Sequence, residues 1–135
     1  MEKIVLTAEN VENITLMHES TDEANILMAN EILRNCDAEK SKHAFILIYA
    51  VSNKANSYFK REAPSIIEAV HNASFSSEYP IPFSSILHYL MTVKAEVSLV
   101  DMCFKLYDKK FRKSLESFGY PVKNLKSKLI IDDKK

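Results

Sequence analysis

The sequence predicts a mainly α protein: a helical bundle of about four helices, one of them short, with a small β element formed by the N- and C-terminal segments. Three observations carry that prediction. Apolar residues recur at helical spacing over long stretches, most regularly from Ile86 to Phe111. Two capping signatures, Ser20-Thr-Asp-Glu23 and Ser65-Ile-Ile-Glu68, stand at the heads of periodic segments. Glycine is nearly absent: Gly119 stands alone where average usage would give about nine or ten. All-β folds and phosphate-cradling loops use glycine where φ must be positive, so its scarcity favours long helices with few sharp turns.

A chain of 135 residues is expected to form a single domain over 1–135. It can bury roughly two-thirds of its unfolded surface without covalent staples. Residues 1–17 read as two short strands or an extended arm, because Lys3–Thr7 and Asn13–Met17 are rich in β-branched residues around a polar stretch. The first helix is predicted over 20–37, with Ile26, Ala29, Leu33 and Cys36 stepping by 3, 4 and 3 onto one face. The second is predicted over 39–62. Its stripe of Ala44, Ile48, Val51, Ala55 and Tyr58 is joined by Phe45, Ile46, Leu47 and Tyr49, so its first half is apolar on nearly every side and belongs at the centre of the fold. Pro64 ends it.

A short third helix covers 65–72, with Ile66, Ile67 and Val70 facing the core. Residues 72–85, rich in serine and proline, form the one long connection. The fourth helix is predicted over 84–118. Its ridge of Ile86, Leu90, Val93, Val97, Val100, Phe104, Tyr107 and Phe111 alternates steps of 4 and 3 without a miss. Gly119 and Pro121 supply the stop, and 122–135 forms a tail whose Lys128–Asp132 could pair with the N-terminal strand.

The zero net charge conceals a dipole. Residues 1–40 carry nine acidic and three basic side chains, a net of −6. Residues 41–101 balance at five and five, and residues 102–135 carry ten basic and four acidic, a net of +6. Such asymmetry bears on partners and association, not on fold. The longest apolar run, Ala44–Val51, has eight residues, far short of the roughly 20 a membrane span needs. Met1–Leu16 is acidic and lacks the apolar core of a signal peptide. The two cysteines, Cys36 and Cys103, sit on or beside apolar stripes and read as buried thiols in a reducing compartment. The expectation is a soluble cytoplasmic protein.

Catalytic patterns give no positive support to an enzyme. One glycine forbids the nucleophile elbow, the P-loop and the dinucleotide fingerprint. Glu68-Ala-Val-His71 has the spacing of a di-iron helix motif, but it occurs once and such sites need it twice. His88 reads as a partly exposed residue near a helix start. Neither metal nor cofactor is expected, and a helical-bundle metal protein or enzyme using Glu68, His71 and His88 stands only as an alternative.

Two segments remain as binding candidates. Lys105, Lys109, Lys110, Arg112 and Lys113, followed by Lys123, Lys126 and Lys128, form a basic run interleaved with Tyr107, Phe111, Phe118 and Tyr120. Basic residues with aromatics hold phosphates and stack bases, so nucleic-acid binding through 105–128 is one reading. Solvated lysines at a helix end, or an internal contact between the acidic first helix and the basic fourth, is the plainer one. Tyr79-Pro-Ile-Pro-Phe83 could display Tyr79, Ile81 and Phe83 to a partner, or tuck them over the bundle with Phe83 as a hydrophobic staple. The function read from these features is a non-enzymatic protein–protein interaction module. It would be a small regulator or inhibitor that binds a protein partner or itself, as a homodimer through the long C-terminal helix.

Overall fold

The computed structural model describes residues 3–72 and 81–117. Among them the chain forms seven helices and no strand: α1 (Ala8–Glu19), α2 (Glu23–Arg34), α3 (Lys42–Val51), α4 (Asn53–Glu62), α5 (Pro64–Asn72), α6 (Phe83–Thr92) and α7 (Val97–Ser117). The mainly α class stands. The count of four helices does not, because two predicted helices are broken and a further helix occupies the second of the two predicted strands.

α1 takes the place of the second strand expected within 1–17, Asn13–Met17. The Thr7 hydroxyl accepts from the Asn10 amide at 3.2 Å, and the Asn10 side chain accepts from the Thr7 amide at 3.0 Å. This is a capping box with asparagine where glutamate is usual. Val11, Ile14, Thr15 and His18 then fall on one buried face. Burying that face outweighs the mild helix penalty of the β-branched residues. Before the cap, the chain is extended and tied to the α2–α3 connection. Ile4 N–H donates to the Asn35 carbonyl at 3.1 Å, and Asp37 N–H donates to Ile4 at 2.7 Å. This single parallel bridge is the whole β content of the described residues. The C-terminal partner expected at 128–132 lies outside them.

The helix predicted over 20–37 begins at Glu23, with Asp22 rather than Ser20 as its cap: Asp22 Oδ1 accepts from the Ala24 amide at 2.9 Å. Ser20 instead closes α1 and accepts from the Asp22 amide. The predicted stripe is otherwise kept, with Ala29, Leu33 and Cys36 buried.

The helix predicted over 39–62 divides at Ser52 into α3 and α4. Ser52 is extended at φ −122° and ψ 117°, ending α3 and opening α4. α3 is the centre of the molecule, buried at seven of its ten positions and touching α1, α4, α5, α6 and α7. Pro64 is the first residue of α5, where its missing N–H costs nothing.

The predicted 84–118 helix is also two. α6 ends at Thr92 in a Schellman turn: Ala95 N–H donates to the Leu90 carbonyl at 2.9 Å and Lys94 N–H to Met91 at 3.2 Å. Lys94 takes the left-handed conformation, φ 55°, that glycine usually fills. The continuous ridge from Ile86 to Phe111 is therefore not a structural unit. Ile86 and Leu90 are buried, but Val97 is 75 % exposed. α7 instead buries Leu99, Cys103 and Leu106, a face rotated from the predicted one. The predicted end at 118, Gly119 and the 122–135 tail lie outside the described residues.

Candidate functional site

The basic candidates begin on α7. Lys105 and Lys109 are one turn apart and share a face. Lys105 Nζ lies 2.9 Å from Glu12 Oε2 on α1. Lys109 is exposed and lines a small crevice with Thr15, Glu19, Val51 and Leu106. Lys105 is thus paired with an acidic residue of the same molecule, but on α1 and not on the helix predicted over 20–37, where the internal contact was expected. Such a surface pair contributes at most about 1 kcal/mol. Lys110, Arg112 and Lys113 belong to α7, but their side chains lie outside the described residues, as do Lys123 and Lys126.

Of the aromatics interleaved with these lysines, Tyr107 holds α7 to the core, and the side chains of Phe111, Phe118 and Tyr120 lie outside the described residues. The Tyr107 hydroxyl donates to the Ile81 carbonyl at 2.7 Å. Phe83 packs edge-on against both Phe104 and Tyr107, with ring centroids 5.2 and 5.3 Å apart. Phe83 therefore acts at the start of α6 as an anchor between helices. Ile81 is fully buried and is not displayed. Tyr79 lies outside the described residues.

The thiols are inert by environment. Cys36 donates to the Ile32 carbonyl, and burial pushes its pKa up. Burial pushes Cys103 up to about 12, so its reactive thiolate is scarcely populated near neutrality. Glu68 and His71 are both exposed on α5, and His88 is exposed on α6 within reach of Thr92. Among the described residues no three His, Cys, Asp or Glu side chains converge as a metal site. An open depression of about 500 Å³ lies beside the α2–α3 connection, with Lys3 and Lys42 set among Asp37 and Glu39.

One polar constellation escapes sequence reading. His18 on α1 is 1 % exposed. Its Nε2 lies 3.0 Å from Asn30 Oδ1 on α2, and its Nδ1 lies 3.0 Å from Ser52 Oγ at the α3–α4 junction. Since a carbonyl oxygen only accepts, Nε2 carries the proton and neutral Nδ1 accepts from the Ser52 hydroxyl. Burial lowers the imidazole pKa; Asn30 opposes that shift and Lys54 adds to it. The atom types are those of a nucleophile, a base and an orienting amide. All three are buried, however, and a catalytic nucleophile must meet its substrate. Chemically the set is a neutral clamp joining α1, α2 and the α3–α4 break. The helical spacing of residues 11, 14, 15 and 18 places His18 among the core positions but does not name its partners.

The surface feature of greatest interest is on α2. Its inner face packs Ala29, Asn30 and Leu33. Its outer face nevertheless carries Ala24, Leu27 and Met28 at i, i+3 and i+4, all exposed, with Leu27 at 58 % and Met28 at 53 %. Acidic Glu23 and Glu31 flank them. No family model matches the chain, nor does any curated protein or solved structure.

Proposed function

We propose that the chain is a protein-interaction module whose docking face is the outer stripe of α2, acting as a small regulator or inhibitor that works by binding. The observation that carries this reading is the pair Leu27 and Met28. They are large, adjacent and more than half exposed on a helix whose opposite face is already buried. With about half of each residue still exposed, covering them is worth about 1 kcal/mol each. Glu31 is paired with Arg34 at 3.0 Å, but Glu23 and the net −6 of residues 1–40 favour a basic partner. The chain carries one such surface itself, since residues 102–135 hold a net +6 against −6 in residues 1–40. A second copy offering its basic C-terminal segment to α2 is thus the first partner to test. Such a head-to-tail contact grows with concentration.

Sedimentation velocity over a range of loading concentrations tests this. The wild-type mass should rise with concentration. Leu27→Glu with Met28→Glu, and separately Lys109→Glu with Arg112→Glu, should hold the protein monomeric with unchanged far-ultraviolet circular dichroism. A wild type that stays monomeric at the highest concentration ends the self-association reading. A mobility shift of an oligonucleotide that vanishes as salt rises would replace it with nucleic-acid binding through 105–128.

A further inference from the structure

We propose that His18 is an acid-sensitive latch: protonating its buried imidazole undoes the hydrogen bond from Ser52 and loosens α1 from the α3–α4 junction. The inference stands apart from the docking reading and uses residues that reading does not.

The geometry allows the neutral ring and opposes the charged one. As built, Nε2–H donates to Asn30 Oδ1 and Nδ1 accepts from Ser52, each at 3.0 Å. A proton taken from solvent onto Nδ1 turns that acceptor into a donor. Two hydrogens then confront each other between His18 and Ser52; the Ser52 hydroxyl must rotate away, leaving its oxygen to accept from Nδ1–H and its own hydrogen to find another acceptor. Ser52 is itself buried, so the change falls where water cannot help.

The electrostatic surroundings act in the same direction. From α2 the ring meets Asn30, a neutral amide. At the α3–α4 junction it meets the Ser52 hydroxyl, also neutral. From α4 comes Lys54, whose ammonium donates to the Ser20 carbonyl two residues from His18 and repels a second cation there. From α7 come Lys105 and Lys109, which stand by Glu12 and Glu19 on α1. Those lysines are matched by the glutamates, so the charge that acts on the ring among the described residues is that of Lys54.

The element held by the latch matters to the whole. α1 packs against α2, α3, α4 and α7, and buries Val11 and Ile14. Loosening it uncovers apolar surface without requiring the α3 centre to melt.

The sign follows from linkage. The folded ring binds its proton less readily than an unfolded one, whose pKa is about 6.5. Stability is therefore full above about pH 6.5 and falls as pH drops through that range, until the folded ring titrates in turn. The ceiling is about a tenfold rise in the unfolding equilibrium constant between pH 7.5 and 5.5. His43, also lowered by burial and by Lys42, contributes in the same window, so the His18 share must be isolated by substitution.

Urea unfolding at pH 7.5 and 5.5 does this for wild type, His18→Gln and Asn30→Asp. The wild-type constant should rise several-fold on acidification. His18→Gln should rise clearly less, whatever its absolute stability. Asn30→Asp places a carboxylate on Nε2 and should abolish or reverse the wild-type rise. Should His18→Gln fail to fold, Asn30→Asp and an NMR titration of the wild-type His18 ring still decide. A ring midpoint below about 6.5 supports the latch. A midpoint at or above that value, or a His18→Gln protein that repeats the full wild-type rise, overturns it.

Discussion

The two helix breaks of this molecule make an instructive pair. The α3–α4 break involves one extended residue, Ser52, and leaves the helical register intact. Ala44, Ile48 and Val51 before it, and Ala55 and Tyr58 after it, are all buried. The α6–α7 break takes residues 93–96 and resets the register. Ile86 and Leu90 before it are buried, while Val97 after it faces water and the core face passes to Leu99, Cys103 and Leu106. The difference lies in what satisfies each break. At Ser52 the hydroxyl meets His18 from another helix, so the chain pauses and resumes against the same neighbours. At Lys94 a local Schellman turn with positive φ redirects the chain, and α7 must find new neighbours, chiefly α6 and α1. A break held by tertiary contact preserves phase; a break made by a turn loses it.

Four substitutions probe this contrast, the truncation at Leu106 having the largest expected effect. Leu106→Ala removes a buried side chain from the reset face and should cost about 2–5 kcal/mol in urea unfolding. Val97→Ala, on the ridge that periodicity favours, should change stability by less than about 0.5 kcal/mol. Equal losses at the two positions would restore the continuous ridge. Ser52→Ala strands the His18 Nδ1 acceptor in the core and should cost about 1–3 kcal/mol, with helix content by circular dichroism held or raised. Lys94→Gly relieves the left-handed conformation and should stabilise by about 1 kcal/mol. A loss there would show that Lys94 does not sit at positive φ in solution.

Much of the fold is legible in the residues. Ile66 and Val70 are buried on α5, Ala29 and Leu33 on α2, and Cys36 just after it, as their spacing requires. α3 is the centre because it is apolar on nearly every side. The clamp of His18, Asn30 and Ser52 is not legible, because its members lie 12 and 34 positions apart and each is an ordinary surface residue by type. Phe83 is intermediate: its staple position can be read beside Pro82, but its partners Phe104 and Tyr107 cannot. The outer stripe of α2 is hidden for another reason. Leu27 and Met28 look like core until the inner face is seen to be filled by others.

By itself the sequence determined the α class, the central segment 44–51, the faces of α2 and α5 and the opposed charges of the two ends. Those properties rest on local spacing and composition, which act within a few residues. The tertiary structure alone decided where long periodic stretches break, which face of α7 turns inward and which polar groups are sealed together. Each of those depends on a hydrogen bond or a packing surface supplied by a distant part of the chain. A repeat of 3 and 4 describes a helix equally well whether it continues or stops.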